Sequence, residues 1–407
     1  MADTETYFRR GLGLKKEVQP VLDSEYHSAV VAQIKAADGH TATFGDITVR
    51  LAEEFGFCYG VDRAVDYAYQ TAMKFPDRQI YLVGEIIHNP HVNQRMRDMG
   101  IDFIYPDDDG AFDFSQVTPE DVVIMPAFGC TLHDFRTLQE IGCVLIDTTC
   151  GSVLNVWKRV DQYAKDGFTA IIHGKYRHEE TRATASQANK HGGRYVVVRH
   201  MDEARLLMDY IERSERALSR EELMEHFHDK ASPDFDPDLH LVRVGAANQT
   251  TMLSTESLAI AEAIGESMGK RYGEEARGEH FRSFDTICSA TQERQDAVKA
   301  LMADPPDIMV VIGGYNSSNT NHLAHLCREY TTTYHISDAT CIDPGTGTIR
   351  HKPVLDADAP EDEVRGWLPE GPVEIGFTAG ASTPNNKIGQ TLERILATRG
   401  IGVPELA

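Results

Sequence analysis

Three of the seven cysteines in this chain share a sequence context that suits metal binding. Cys58, Cys150 and Cys288 each close a short apolar stretch and open a segment with helical periodicity, in EEFGFCYGVDRAVDYAYQ, LIDTTCGSVLNVWKRVDQYA and SFDTICSATQERQDAVKAL. The periodicity is clear after the first two cysteines and weaker after the third. Each cysteine is therefore predicted to lie near a helix N-terminus, where the thiolate form that binds metals is favoured.

The number of such cysteines points to a particular kind of metal centre. Three thiolates cannot complete the shell of a structural zinc ion, whereas a four-iron cluster with three cysteine ligands leaves one iron open for chemistry. The pattern thus predicts an iron–sulfur enzyme with one 4Fe–4S cluster per chain. A single cysteine at a helix start is more often a small buried core residue, and the threefold recurrence is what favours metal binding.

The other four cysteines do not occupy the equivalent positions and are interpreted as structural. They are Cys130, Cys143, Cys327 and Cys341. Cys130, in PAFGC, follows a strand that ends in small residues, so a role as a fourth ligand stays open for it. An odd number of cysteines in a chain without a secretion signal also argues against a disulfide framework.

A polar loop follows a β-rich run in each of the three repeats. The loops are EIIHNPH, HGKYRHEE and GGYNSSNTNH; His88 lies 30 residues after Cys58, His178 lies 28 after Cys150, and Asn316–Asn319 lie 28 to 31 after Cys288. Strands that alternate with helices at this spacing indicate parallel sheets, whose ligands bind at the carboxyl ends of the strands. The three loops are therefore expected to face a common centre.

Short polar donors on loops that precede helices suit the oxygens of a phosphate or diphosphate group. Taken singly, each such residue is more often an ordinary helix cap, and the functional interpretation depends on their convergence. The candidates are His88, His178, Ser317, Asn319 and Ser382.

One acidic residue could supply protons to a reaction at this centre. Glu180 follows His178 in HEETRA, where a solvated first-turn acid is the ordinary interpretation. A carboxyl group in a shielded pocket, however, has its pKa raised and can act as a general acid. Thr250, in ANQTTM, could relay the proton through its hydroxyl, and Glu179 competes with Glu180 for the same role.

Composition limits the partners of the chain. A net charge of −23 disfavours nucleic acid and anionic membranes, and no apolar run approaches the roughly 20 residues of a membrane helix. The sequence MADTETYFRR has neither the apolar core of a secretion signal nor the acid-poor bias of a transit peptide, so the chain is expected to be cytoplasmic.

The repeats predict an α/β protein with three α/β domains and parallel sheets. The expected division is an N-terminal extension (1–48), a first domain (49–149, with 384–407 packing back on it), a second (150–287) and a third (288–383). The second domain is longer because of a charged insertion at about 212–240, which is expected to elaborate the surface rather than join the site.

The order of the motifs closely resembles one enzyme family. FGFCYGVDRA, EIIHNPHV, DTTCGSV, HGKYRHEET, NQTTM, DTICSATQERQ, NSSNTNHL and TAGASTP follow one another between about residues 49 and 395. Together they resemble the LytB family of hydroxymethylbutenyl diphosphate reductases, which act last in the non-mevalonate isoprenoid pathway.

The resemblance implies a trefoil of three pseudo-symmetric domains around a 4Fe–4S cluster bound by Cys58, Cys150 and Cys288. It implies that the substrate's allylic hydroxyl binds the open iron, and that two electrons and two protons remove it as water to give isopentenyl and dimethylallyl diphosphate. The residues that it implies for the diphosphate are His88, His178, Ser317, Asn319 and Ser382, with Ser318 nearby. It assigns proton delivery to Glu180, with Thr250 assisting.

One position departs from the bacterial pattern of this family. Many bacterial members carry a histidine where this chain has Phe128, in PAFG, so one diphosphate contact is expected to be missing. PAFG, HGKY and the long N-terminal extension are similar to the plant and cyanobacterial branch, which favours ferredoxin over flavodoxin as electron donor. A mature plant-type form would reside in the plastid stroma.

Two other classes of function compete with reductive dehydroxylation. A non-redox cluster enzyme, such as an aconitase-like dehydratase or a quinolinate synthase, would use the open iron only as a Lewis acid and would turn over without an electron donor. A sensing protein would hold the cluster without turnover.

Overall fold

The computed structural model of the chain describes residues 6–284, 286–353 and 360–402. The outermost parts of the predicted terminal segments (1–5 and 403–407) and Asp285 of the third cysteine motif lie outside the described residues. Within those ranges, no helix is long and apolar enough to cross a membrane.

Helices and strands alternate along most of the chain. The strands are β1 Tyr7–Phe8, β2 Thr41–Phe44, β3 Ile47–Leu51, β4 Ile80–Val83, β5 Ile101–Ile104, β6 Val122–Met125, β7 Val144–Asp147, β8 Thr169–His173, β9 Tyr195–Val198, β10 Val244–Asn248, β11 Phe281–Ser283, β12 Ile308–Ile312, β13 Thr332–Ile336, β14 Ile342–Asp343, β15 Thr348–His351, β16 Asp362–Arg365 and β17 Val373–Ala379. The helices are α1 Lys15–Tyr26, α2 Ala29–Ala36, α3 Tyr59–Lys74, α4 Pro90–Asp98, α5 Leu132–Ile141, α6 Gly151–Lys165, α7 Glu179–Ala188, α8 Met201–Glu212, α9 Arg220–His226, α10 Pro237–His240, α11 Ser254–Tyr272, α12 Arg277–His280, α13 Ser289–Leu301, α14 Ser318–Arg328 and α15 Asn385–Thr398.

Residue contacts divide the chain into two compact units. The first unit contains the chain up to Arg10 together with Phe75–Ile86 and Gly100–Cys288. It holds two parallel sheets, with strand orders β1-β7-β6-β4-β5 and β11-β10-β8-β9. Strands β6, β7, β8 and β10 are buried along their whole length, as expected for parallel strands that helices cover on both faces.

The second unit contains Gly11–Lys74, Ile87–Met99 and the chain from Ser289 onward. Its main sheet has the order β13-β12-β17-β3-β2 and is parallel except for the β2–β3 pair. A small antiparallel sheet, β14-β15-β16, lies in the same unit. The α/β class and the three parallel sheets predicted from the repeats are thus confirmed.

Strand pairing crosses the predicted boundary between the N-terminal extension and the first domain. Strand β3, where the first domain was expected to begin, pairs with β17 in the sheet that contains β12 and β13, because the register joins Ile47–Leu51 to Val373–Phe377. The N-terminal extension is also divided, since β1 pairs with β7 while α1 and α2 belong to the second unit. The division into three domains therefore stays a prediction.

The charged insertion contributes to a core. Its helix α9 carries Leu223, followed by Phe227, and both side chains are fully buried in the apolar cluster that also contains Val196 and Val198 of β9. Backbone bonds reinforce this packing, because Val197 N donates to Lys230 O at 2.7 Å. The insertion is thus a cover for one side of the second parallel sheet.

Gly245 in β10 is required by a close aromatic contact. A Cβ at this position would lie 2.6 Å from ring atoms of Tyr163, whose side chain is fully buried and whose hydroxyl donates to Ala246 O at 2.8 Å. We expect Gly245→Ala to lower the free energy of unfolding by about 1–3 kcal/mol through overpacking. Urea unfolding checks this through a lower midpoint at an unchanged m-value.

The control for this substitution is Gly278→Ala in the same unit. Gly278 is exposed on α12, and a Cβ there would meet nothing within 4 Å. Equal midpoints for the two variants would contradict the packing argument.

Candidate functional site

The three predicted cysteines lie at helix starts, as expected. Helix α3 begins directly after Cys58, α6 directly after Cys150 and α13 directly after Cys288. Each thiol is partly exposed, whereas Cys130, Cys143, Cys327 and Cys341 are buried. The position and the accessibility of these three cysteines therefore set them apart from the others.

The backbone N–H of each of these cysteines is bonded to a loop that follows a strand. Cys150 N donates to Ala127 O at 2.9 Å in PAFG, after β6, and Cys288 N donates to Thr250 O at 3.4 Å in NQTT, after β10. Cys58 N donates to Ala381 O at 3.2 Å in TAGAS, after β17. Each cysteine thus continues the pairing of a sheet and lies beside the small-residue loop of that sheet.

Two of the cysteines are coupled within the first unit. The Ser152 hydroxyl, in the first turn of α6, lies 3.4 Å from Cys288 Sγ. Burial raises the pKa of Cys150, and the charge of a neighbouring Cys288 thiolate raises it further, while the main-chain N–H of Ser152 acts in the opposite direction. The charge effect of Cys288 on Cys150 indicates that the two thiols lie near each other within the first unit.

The remaining cysteines behave as core residues. Burial raises the pKa of Cys143 to about 11 and that of Cys327 to about 12, and it also raises that of Cys130. Cys130 Sγ lies 3.5 Å from Met125 Sδ, inside the apolar cluster of the first sheet. The role of fourth ligand left open for Cys130 receives no support from this position.

Glu180 is held by Thr250 in the first unit. Its side chain is 1% exposed, and its two carboxylate oxygens accept bonds from Thr250 N at 2.6 Å and from Thr250 Oγ1 at 3.0 Å. Glu180 is therefore not a solvated acid that merely stabilises the first turn of a helix. The neighbouring Glu179 remains about one-third exposed. Of the two candidate acids, Glu180 is the one in contact with Thr250.

His178 is the N-cap of α7. Its Nδ1 accepts from Glu180 N at 3.2 Å, so the proton of a neutral ring lies on Nε2, which can donate to an anion. The Phe128 ring lies edge-on to the imidazole, with centroids 5.5 Å apart and an interplanar angle of 81°. At this position Phe128 makes a T-shaped ring contact with His178 in place of a hydrogen bond from a polar side chain.

Gln249 orders the loop that carries His178, a role that the sequence did not single out. Its Oε1 accepts from Lys175 N and from Thr181 Oγ1, both at 3.1 Å, and its side chain is fully buried. A glutamine between Asn248 and Thr250 was a weak signal, because a polar residue after a strand is common in loops. Only the fold brings it to the HGKYRHEE loop.

In the second unit, hydrogen bonds join the loop of His88 to the loop of Ser382. The Ser382 hydroxyl donates to His88 O at 3.2 Å, and Asn89 Nδ2 donates to Ser382 O at 2.8 Å. Asn316 Nδ2 lies 3.4 Å from His88 Nδ1. Gly314 permits this approach, because a Cβ on it would lie 2.7 Å from His88 O. The EIIHNPH and GGYN loops are thereby joined to the end of β17.

The predicted serines and asparagine begin helix α14 and are all buried. Ser317 is the N-cap, and its Oγ accepts from Thr320 N at 3.4 Å, so the ordinary capping role is present. Asn319 Oδ1 accepts from Ala381 N at 2.9 Å. Its Nδ2 is buried and has no hydrogen-bond partner among the described residues. A buried donor without a partner costs about 1–3 kcal/mol, which a ligand oxygen would offset.

Each unit therefore assembles part of the predicted set. Residues of the first unit are Cys150, His178, Glu180, Thr250 and Cys288, and those of the second are Cys58, His88, Ser317, Ser318, Asn319 and Ser382.

Comparison with known proteins identifies the family. The family model described as LytB protein matches residues 49–396. A 4-hydroxy-3-methylbut-2-enyl diphosphate reductase of Thermosynechococcus vestitus is 48% identical over 399 residues, which cover 98% of this chain and 96% of the relative. The enzyme of the same name from Gloeobacter violaceus is 46% identical over 403 residues, covering 98% and 94%.

Solved structures agree with this result. A structure of (E)-4-hydroxy-3-methyl-but-2-enyl diphosphate reductase, the terminal enzyme of the non-mevalonate pathway, matches with a TM-score of 0.52 and 27% identity, over 85% of this chain and 98% of the other. The E-1-hydroxy-2-methyl-but-2-enyl-4-diphosphate reductase of Plasmodium falciparum has a TM-score of 0.61 at 19% identity, over 86% and 87%. The second likeness bears on the fold alone.

The coupling of the two thiols in the first unit predicts a pH effect in metal-free protein. Cys288→Ser removes a neighbouring negative charge, so the pKa of Cys150 is expected to fall. The pH at which iodoacetamide alkylation of Cys150 reaches half its maximal rate should move down, as followed by mass spectrometry of the Cys150 peptide.

Cys143→Ser is the matched control, because Cys143 lies in the apolar core of the first sheet. It should leave that pH unchanged. The same midpoint in Cys288→Ser and in the parent protein would contradict the proximity of the two thiols.

Proposed function

The chain belongs to the LytB protein family, and we propose that it is a 4-hydroxy-3-methylbut-2-enyl diphosphate reductase of the non-mevalonate isoprenoid pathway. The single observation that carries this proposal is near-full-length similarity to enzymes of that name. The reaction removes the hydroxyl group of the substrate as water and yields isopentenyl and dimethylallyl diphosphate.

Cys58, Cys150 and Cys288 are proposed to hold a 4Fe–4S cluster. The donor set fits, because three partly exposed thiols lie at helix starts and two of them are electrostatically coupled. When bound through three cysteines, such a cluster supplies electrons and one coordination position that the protein does not fill. The residues around it must then bind the substrate, exclude water and deliver protons.

The diphosphate is proposed to bind where the second unit presents buried neutral donors. Phosphate oxygens could accept a hydrogen bond from Asn319 Nδ2, which has no partner among the described residues. The N-terminus of α14 adds a partial positive charge, and the hydrogen-bonded loops of His88 and Ser382 lie in the same unit. His178 Nε2 is proposed as a further donor to the substrate. Binding to neutral groups suits a protein with a net charge of −23, since the attraction comes from local donors rather than from overall charge.

Glu180 is proposed as the proton donor and Thr250 as its support. The two hydrogen bonds from Thr250 stabilise the carboxylate that remains after Glu180 has given up a proton, which makes the acid a better donor. The Thr250 hydroxyl also touches the carboxylate and can relay the proton that restores it. Burial of Glu180 keeps bulk water away from this exchange.

The reaction needs an outside reductant. The C–O bond breaks, the reductant supplies two electrons, and two protons complete the product and the departing water. We propose that a ferredoxin supplies the electrons in preference to a flavodoxin, because PAFG and HGKY are similar to the plant and cyanobacterial branch of the family, to which several matching relatives belong.

The decisive assay uses anaerobically prepared full-length protein, a reduced electron donor and the hydroxylated diphosphate. Glu180→Gln should lower product formation by about 10²-fold or more, because the amide has no acidic proton to deliver. The amide oxygen can still accept from Thr250 N, so iron content and substrate binding should be retained. No product from parent protein with a full cluster would refute the proposed function.

Glu179→Gln is the control for the acid, since it changes the adjacent and more exposed carboxyl group. We expect its rate to stay within a few-fold of the parent. If Glu179→Gln lost product formation while Glu180→Gln turned over normally, Glu179 would be the proton donor instead.

The cluster ligands predict a pattern of metal loss. Cys58→Ser, Cys150→Ser and Cys288→Ser should each reduce iron and sulfide per chain, because a serine oxygen is a poor ligand for a soft metal centre. Cys143→Ser, a change in a core thiol of the first sheet, should retain both. Full iron in any of the first three variants, measured after anaerobic purification, would remove that residue from the ligand set.

A further inference from the structure

Arg294 is a buried cation that has no carboxylate partner among residues 6–284, 286–353 and 360–402. It lies on α13, six residues after Cys288, and its side chain is 3% exposed. Arginine is rarely buried to this extent unless it is paired with an acid. Yet every hydrogen bond of its guanidinium group within the part of the chain that the structure describes goes to a main-chain carbonyl.

Two of those carbonyls belong to the residues directly before Cys58. Gly56 O accepts from Nε at 3.1 Å and from Nη2 at 2.7 Å, and Phe57 O accepts from Nη2 at 3.2 Å. The remaining nitrogen, Nη1, donates to Ala290 O at 2.8 Å in the first turn of α13. The guanidinium fork therefore ties the Cys58 segment to the helix that starts after Cys288.

The opposite edge of the same segment is also fixed. Gly56 N donates to Ala379 O and Cys58 N donates to Ala381 O, both at 3.2 Å. Arg294 thus satisfies the carbonyl edge of a segment whose N–H edge is paired with the end of β17. With both edges bonded, the position of Cys58 is set relative to the loop that carries Ser382.

The uncompensated charge has a cost that a nearby anion would offset. A buried ion without a counter-ion is unfavourable by several kcal/mol even after relaxation. The cysteine thiolates carry negative charge, and each electron that a bound cluster takes up adds one more. A fixed positive charge beside Cys58 stabilises that added charge.

We propose that Arg294 is a positioning residue for Cys58 and that its charge favours the reduced state of the cluster. This inference rests on the proposed function, because it assumes that Cys58 is a cluster ligand. Lysine would keep the charge but not the planar fork, since its ammonium group is a compact point charge on a flexible stem. The two roles can therefore be separated by substitution.

The test compares Arg294→Gln, Arg294→Lys and Lys299→Gln in anaerobically reconstituted full-length protein. Lys299 lies on the same helix, is 38% exposed and is 3.8 Å from Asp296. Lys299→Gln therefore removes the same formal charge as Arg294→Gln, but at a solvated position. The midpoint potential of the cluster is measured by redox titration with electron paramagnetic resonance detection, in the absence of substrate.

At the midpoint potential of the parent protein, the ratio of reduced to oxidised cluster in Arg294→Gln should be about tenfold lower, which corresponds to a midpoint shift of about 59 mV for a one-electron couple. Arg294→Lys should keep the midpoint near that of the parent but release iron to a chelator faster, because the Cys58 segment has lost its fork. Lys299→Gln should change neither property. Equal midpoints in Arg294→Gln and Lys299→Gln would overturn the electrostatic role.

A second measurement covers the case in which Arg294→Gln does not fold. In metal-free Arg294→Lys, alkylation of Cys58 should be several-fold faster than in the parent protein, because the segment before it is held on one edge only. An unchanged alkylation rate together with unchanged iron retention would overturn the positioning role. Since neither measurement needs turnover, failure of this inference is distinguishable from failure of the proposed reaction.

Discussion

The site depends on backbone pairing that continues past the ends of parallel strands. In each of the three parallel sheets, a cysteine N–H is bonded to a carbonyl in the loop that follows a strand, namely at Ala127, Thr250 and Ala381. This bond places a thiol and a helix N-terminus beside the small-residue loop of that sheet. Because the bond is made by the main chain, the same arrangement recurs although the side chains of the three loops differ.

This pairing also explains why the repeats do not coincide with the sheets. The segment before Cys58 follows β3 and continues along β17, so the first cysteine of the chain belongs to the sheet built mainly from the last third of the sequence. Cys150 and Cys288 likewise close the sheets whose strands precede them. A parallel sheet needs only adjacent strands in register, and it accepts a strand from a distant part of the chain.

The polar groups of the site are organised by the same loops. Thr250 and Ser382 follow β10 and β17, so the residues that touch Glu180 and His88 are carried by the loops that receive the cysteine N–H groups. Buried polar atoms are costly unless they are bonded, and most of these are bonded to main chain. Among the described residues, Asn319 Nδ2 has no hydrogen-bond partner and Arg294 has no carboxylate partner, and a bound anion would offset the cost of each.

The sequence by itself determined the α/β class, the helix starts at Cys58, Cys150 and Cys288, and the family. These features follow from the periodicity of apolar residues and from residue types at fixed spacing. Both are patterns that can be recognised within short segments of the sequence. It did not reveal the roles of Gln249 and Arg294, or the partition of the chain into two units. Those depend on contacts between residues far apart in the chain, such as Arg294 with Gly56, which local patterns do not encode. The choice between Glu179 and Glu180 as the partner of Thr250 was likewise made by tertiary structure, because adjacent helix positions point in different directions and only one of them meets the loop after β10.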